Sequence, residues 1–196
     1  DMGFIQDMRD ILQRLATARQ SYFFSATLDA KVKSLIYSFS SEPEIISVKT
    51  GETSDNVEQD IVAYQTSEEK IMQLHNLLAS EAVAKALVFD ETQRSVERLS
   101  KELIARGFKA DAIHGGKSQS QRQRALEKFK KNHVSVLVAT DVAARGIDVA
   151  DITHVINFSQ PQAYEDYVHR IGELVALAEL AMPTLSSKRK LHVYAE

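Results

Sequence analysis

The sequence predicts an α/β fold, a parallel sheet with helices on both faces, and three observations carry that expectation. The runs Ala84 to Phe89 and Val134 to Val138 are apolar at most positions, as strands covered on both faces are. Helical patterns such as Gln93 to Arg106 separate these runs, the alternation of βαβ units. Hydroxyl, acidic and basic groups crowd the stretch just after the second run, Ala139 to Val149, and open α/β sheets bind ligands beyond the carboxyl ends of their strands.

Taken in order, residues 1–42 read as a helix (Ile5 to Ala16), a strand (Ser21 to Ser25) and a helix (Ala30 to Phe39) that stops before Pro43. These elements are too few to close a core. Two β-rich runs follow, Glu44 to Val48 and Val57 to Gln65, around a polar stretch holding Gly51, Thr53, Ser54, Asp55 and Asn56, and the domain junction falls there. The alternation then runs helix Ser67 to Ser80, strand Ala84 to Phe89, helix Gln93 to Arg106, strand Ala110 to Ile113 and helix Ser118 to Lys130. It continues with strand Ser135 to Ala139, strand His154 to Asn157 and helix Ala163 to Ile171. At 196 residues the chain has room for one full domain and part of a second.

The loop after the Val134 to Val138 run carries Thr140, Asp141, Arg145 and Asp148, with Gly146 allowing close backbone approach. An arginine among hydroxyls and acids suits phosphate and ribose better than an apolar ligand. His114-Gly115-Gly116-Lys117-Ser118 has the ending of a phosphate-binding loop, but that motif needs an earlier glycine where Asp111 stands. Gln119 and Arg122, one helical turn apart, share a face. Thr92 opens the helix after the Ala84 to Phe89 strand, and an N-cap role and a ligand role are compatible there. No two of the six histidines stand at the i, i+4 metal spacing and cysteine is absent, which argues against a zinc site.

In their order, Ser25-Ala26-Thr27, Val88-Phe89 with Thr92, His114-Gly115-Gly116, Gln119 with Arg122, Thr140-Asp141 through Arg145-Gly146-Ile147-Asp148, and Tyr167 to Gly172 resemble the motifs of DEAD-box ATP-dependent RNA helicases. Over residues 1–172 the chain is similar to the end of the first RecA-like domain and to the second, a helicase C-terminal domain of the P-loop NTPase type. The resemblance implies residues 1–42 as the remnant of the first domain, 43–66 as linker and first strand, and 67–172 as the second domain. It further implies RNA-phosphate contacts at Thr92, Gly115, Gly116, Gln119, Arg122, Thr140 and Arg145, and ATP contact at Gly146 and Asp148. Coupling between domains would fall to Ser25, Thr27, His169 and Arg170, while Asp141 reads as a structural ligand of its own loop. Backbone-directed contacts imply binding indifferent to sequence, with 2′-hydroxyls separating RNA from DNA.

The ATP, Mg2+ and first RecA-like domain that the family needs imply that this chain alone binds no nucleotide stably and is inactive. A non-catalytic RNA-binding or partner-regulating module is the rival reading, and a related DNA helicase a third. After Gly172 the family continues Arg-Thr-Gly-Arg, whose arginines reach the γ-phosphate; Glu173 and Ala176 occupy those places here. An arginine finger is worth about 10³ to 10⁵ in rate, so no complete catalytic set is expected. Residues 173–196 are therefore read as an aberrant tail standing where the last strand of the sheet belongs. A one-base deletion after Gly172 reproduces Glu173 to Ser186 from a family-like continuation, and a divergent helix over Glu173 to Met182 is the alternative.

The formal net charge is −3, yet Ala84 to Arg145 holds 13 Lys and Arg against 7 Asp and Glu, a local basic surface of the kind phosphate backbones meet. Part of it, Lys128, Lys130 and Lys131, also suits a solvated helix end. No apolar run reaches the roughly 18 residues of a bilayer span, so no membrane partner is expected. With cysteine absent, a cytoplasmic setting is the expectation; the pattern leaves the oligomeric state open.

Overall fold

The computed structural model describes residues 4–16, 18–25, 28, 30–47, 57–144, 147, 149, 151–161, 166–167, 170 and 189–195. The chain divides into two units, Asp1–Lys49 and Thr50–Glu196. In the first, helices α1 (Ile5–Gln13) and α2 (Ala30–Phe39) form, and α1 buries none of its residues. The strand expected over Ser21 to Ser25 is not formed, nor is one over 44–47. Tyr22, Phe23 and Phe24 have the right propensity, but a strand exists only with a ladder partner, and none forms among the described residues of this unit.

The second unit is a six-stranded, wholly parallel sheet. Its elements in order are β1 (Val57–Ala63), α3 (Ser67–Leu78), β2 (Ala86–Phe89), α4 (Gln93–Ala105), β3 (Ala110–Ile113), α5 (Gln119–Lys130), β4 (Val136–Ala139), α6 (Asp141–Ala144), β5 (His154–Asn157) and β6 (Arg189–Ala195). The strand order is β1-β6-β5-β2-β4-β3. The short α6 was expected as loop. Of the helix expected over Ala163 to Ile171, residues 166, 167 and 170 are described, and all three are helical.

Alternation along the central strands explains the two-sided core. Leu87, Phe89, Leu137, Ala139 and Val155 pack on one face with Ala125 and Phe129 of α5. Ala86, Val88, Val136, Val138 and Ile156 pack on the other with Leu74 and Leu78 of α3 and Val96, Leu99 and Leu103 of α4. The helices start and stop where their sequences direct. Thr66 caps α3, Thr92-Ser95 and Ser118-Gln121 form reciprocal capping boxes on α4 and α5, and Gly107, at φ +92°, ends α4 with Phe108 N–H on Leu103 O.

The tail departs from expectation. Arg189–Ala195 is a strand of the sheet, lying between β1 and β5 and in parallel register with both. For residues 189–195 this corrects the reading of the tail as a segment that takes the place of the last strand, and the physical reason is a period of two: Val193 packs toward the α5 face and Tyr194 toward the α3 and α4 face. Tyr194 is 1% exposed against Tyr64 and Phe158. Burial pushes its phenol well up, and its hydroxyl meets no acceptor among the described residues.

Tyr194→Ala should therefore cost about 3–5 kcal/mol in urea unfolding, the range for deleting a buried aromatic ring. Tyr194→Phe, which removes only an unpaired buried hydroxyl, should equal or exceed the wild type. A Tyr194→Phe loss as large as the alanine loss would show that the hydroxyl is bonded.

Candidate functional site

Because all six strands are parallel, the loops after β2, β3, β4 and β5 leave the same edge of the sheet. The order of strands reverses between β5 and β2, since β2 leads to β3 on one side and β5 to β6 on the other. A crevice forms at such a reversal. One side chain occupies it. The Arg170 guanidinium, 3% exposed, donates from Nε and Nη2 to the two Asp141 carboxylate oxygens at 2.5 and 2.8 Å, and from Nη1 to Asn157 Oδ1 at 2.7 Å and Ser159 O at 3.1 Å. Its Cζ lies over the Phe89 ring, 4.7 Å from the centroid. Asp141 thus serves an arginine from beyond β5, a role that the expectation of a ligand to its own loop did not include; sequence cannot show a bond across 29 residues.

Around this centre, four of the loop positions singled out from sequence gather on one edge. Thr92 follows β2, Gly115 and Gly116 follow β3, and Thr140 directly follows β4, in three adjacent strands. Thr92 is exposed and its Oγ1 accepts the Ser95 N–H at 3.1 Å, so the cap role is realised, and the α4 amides of Gln93 and Arg94 beside it have no acceptor among the described residues. Thr140 is nearly buried and its carbonyl accepts the Ala143 and Ala144 N–H groups, starting α6. Gln119 and Arg122 sit on the first turn of α5, joined by a long 3.5 Å contact. Arg122 is half-buried and its Nε is enclosed without a partner among the described residues.

The turn after β3 is braced from α4. Gly116 N–H donates to His114 Nδ1 at 3.2 Å, which leaves the ring proton on Nε2, facing Glu97 Oε2 at 3.2 Å. Lys117 Nζ and Lys101 Nζ approach the same carboxylate at 3.3 and 3.5 Å. The His114 hydrogen bond is the main influence holding the Glu97 carboxyl below its ordinary range; burial opposes it, and Lys117 and Lys101 add to the lowering. A Cβ at Gly116 would lie 2.7 Å from Gln93 Oε1, and one at Gly115 3.2 Å from Gln93 Nε2. Gln93 therefore lies over the glycine turn as a movable cover. Neither Gln93 nor Glu97 was singled out from sequence; the spacing of Gln93, Glu97 and Lys101 on one helix face was the available signal.

An open groove of about 790 Å³ runs along α4 from this turn, lined by Gln93, Arg94, Glu97, Arg98, Lys101 and His114 among others. Ser25, placed in the coupling set, lies exposed in the first unit. Thr27, Arg145, Gly146, Asp148, His169, Glu173 and Ala176 lie outside the described residues. Among the described residues no cluster of metal-ligating side chains occurs and no helix is long and apolar enough to cross a membrane.

Residues 69–174 match the helicase conserved C-terminal domain. The chain is 44% identical over 173 residues to the DEAD-box ATP-dependent RNA helicase CshA of Bacillus subtilis, an alignment covering 88% of this chain and 35% of that protein. It therefore spans about a third of that relative's length. Among solved structures it is similar to the E. coli DEAD-box protein SrmB bound to regulator of ribonuclease activity A, with TM-score 0.63, 31% identity and coverage of 71% of this chain and 78% of that one. A DEAD box protein of Methanococcus jannaschii matches over 98% of this chain and 50% of its own length, at 34% identity and TM-score 0.60.

Two outcomes follow from the geometry. Arg170→Ala should destabilise the second unit by about 3–5 kcal/mol in chemical unfolding, because it strands a half-buried carboxylate, and Arg170→Lys should recover only part, lacking the fork that spans Asp141. Since the folded Glu97 carboxyl titrates below its unfolded value, its contribution to stability is present above the ordinary carboxylate range and is lost as pH falls through the depressed value. Glu97→Gln should flatten the acid limb of a stability-against-pH curve, and an unchanged limb would show that the bracing carries no charge-dependent stability.

Proposed function

This chain belongs to the helicase conserved C-terminal domain family and is a homologue of DEAD-box ATP-dependent RNA helicases, and from that premise we propose that it grips RNA by its phosphate backbone along the carboxyl edge of β2, β4 and β3. The observation that carries the reading is the gathering of Thr92, Gly115, Gly116 and Thr140 on that edge; Gln119 and Arg122, on the first turn of α5 beside it, join the set by resemblance. Glycine turns and open helix amides meet phosphates through the backbone, which carries no base information. Arg145 joins this set by resemblance.

ATP contact is assigned to Gly146 and Asp148, with Mg2+, in a whole protein whose first RecA-like domain supplies the rest of the cleft. Ser25, Thr27, His169 and Arg170 would couple the two domains. Arg170 already spends its guanidinium on protein acceptors, which supports a fixed, organising part in that coupling over direct phosphate contact. The whole protein would use ATP to separate short RNA duplexes, in the cytoplasm, while this chain alone has no turnover. A purely non-catalytic module is the weaker reading, because the homologues are ATP-dependent enzymes.

Fluorescence anisotropy with labelled RNAs of unrelated sequence tests the reading. Arg122→Ala should weaken all of them alike and lower the slope of log affinity against log salt by about 0.7, the value of one single-strand phosphate contact. A loss confined to one sequence, or none, would remove Arg122 from the interface. RNA-stimulated ATP hydrolysis by the purified chain would refute its inactivity.

A further inference from the structure

We propose that the groove along α4 is a second RNA track, in which Arg94 and Arg98 hold the backbone of the strand after it leaves the glycine turn. The inference rests on the RNA reading above and extends it from the loop edge to the flank of the domain. Its basis is the distribution of charge in the groove. Both carboxylates lining it are already matched: Glu97 by His114, Lys117 and Lys101, and Glu102 by Arg106 Nε at 2.7 Å. Arg94 and Arg98 are exposed and, among the described residues, have no hydrogen-bonding or ionic partner. The wall facing solvent therefore presents two uncommitted guanidiniums.

Their placement gives the track a direction. α4 begins at the ligand edge, just after β2, and runs back along the sheet. Gln93 touches the space beside Gly115 and Gly116, Arg94 stands next to it, and Arg98 follows one turn later on the same face, with Cβ atoms about 5–6 Å apart. A strand whose phosphate meets the Gly116 turn thus has, within one helical turn, the next two cations in line. Gln93 stands at the junction, where its side chain must swing aside for a phosphate to reach the glycine backbone. The occupant fits an extended polyanion better than a compact anion, because the groove is open along its length and its cations are strung along a helix.

Anisotropy with the full 196-residue chain and two labelled uridylates, a six-mer that covers only the loop edge and a fifteen-mer that reaches the groove, tests this across a potassium chloride series. The fifteen-mer should show the steeper salt slope. In R94A/R98A its slope should fall by about 1.4, two contacts at about 0.7 each, to the six-mer value, with six-mer binding unchanged. R94K/R98K, which keeps the charge, should retain most of the slope. If R94A/R98A leaves the fifteen-mer unchanged while Arg122→Ala weakens both RNAs, the groove is not a track and the edge reading stands. If the wild type binds neither RNA at low salt, both readings fall. If R94A/R98A loses affinity for a polyglutamate peptide but not for the fifteen-mer, the track is overturned in favour of an acidic protein partner. Thermal unfolding of each variant at the wild-type midpoint confirms that the surface changes leave the fold intact.

Discussion

The Arg170 guanidinium is the constraint on which the ligand edge depends. A cation at 3% exposure is costly unless its donors are met, and here four hydrogen bonds and an aromatic face meet them. Its partners come from three strand ends: Phe89 closes β2, Asp141 follows β4, and Asn157 closes β5 with Ser159 just past it. One side chain therefore sets the mutual position of three parallel strands at the end where their loops depart. Thr92 and Thr140 hang from two of those strands, so their spacing inherits its accuracy from a residue that need not touch the ligand.

Charge at that edge is organised by pairing more than by number. The chain as a whole is acidic, at −3, yet the carboxylates that line the α4 groove are drawn into bonds with histidine, lysine or arginine. Each such bond quenches an acid and frees the field of the remaining guanidiniums. Glu97 does this while bracing the turn through His114, so a residue of the sign that repels phosphate prepares the place where phosphate is received.

Much of this was legible in the residues. Strands β2 and β4 are buried on both faces and announce themselves as apolar runs, and Thr92 and Ser118 mark their helices because a hydroxyl cap is a local device. What sequence hid was tertiary. Asp141 finds Arg170 across 29 residues and His114 finds Glu97 across 17, distances over which no periodicity speaks. Ser21 to Ser25 has strand composition but joins no ladder among the described residues, so propensity misled. In β6 the alternation of Val193 with His192 and Tyr194 was present, but the polar run from Ser186 to Lys190 leads into it, so the segment lacks the continuous apolar signature of a strand covered on both faces.

The place of β6 also bears on how the domain is made. β1 is the first strand of the sheet to be synthesised and β6 the last, yet among the described residues β1 pairs with β6 alone. A chain leaving the ribosome can assemble β2, β3, β4 and β5 as they appear, while the first strand waits with its backbone groups unmatched until residue 189 has emerged. Closing so long a loop for a parallel pairing is slow, and an unpaired strand is a template for wrong partners. Its outward charges, Glu58 and Asp60, are the kind of residue that keeps such an edge from finding another chain in the interval.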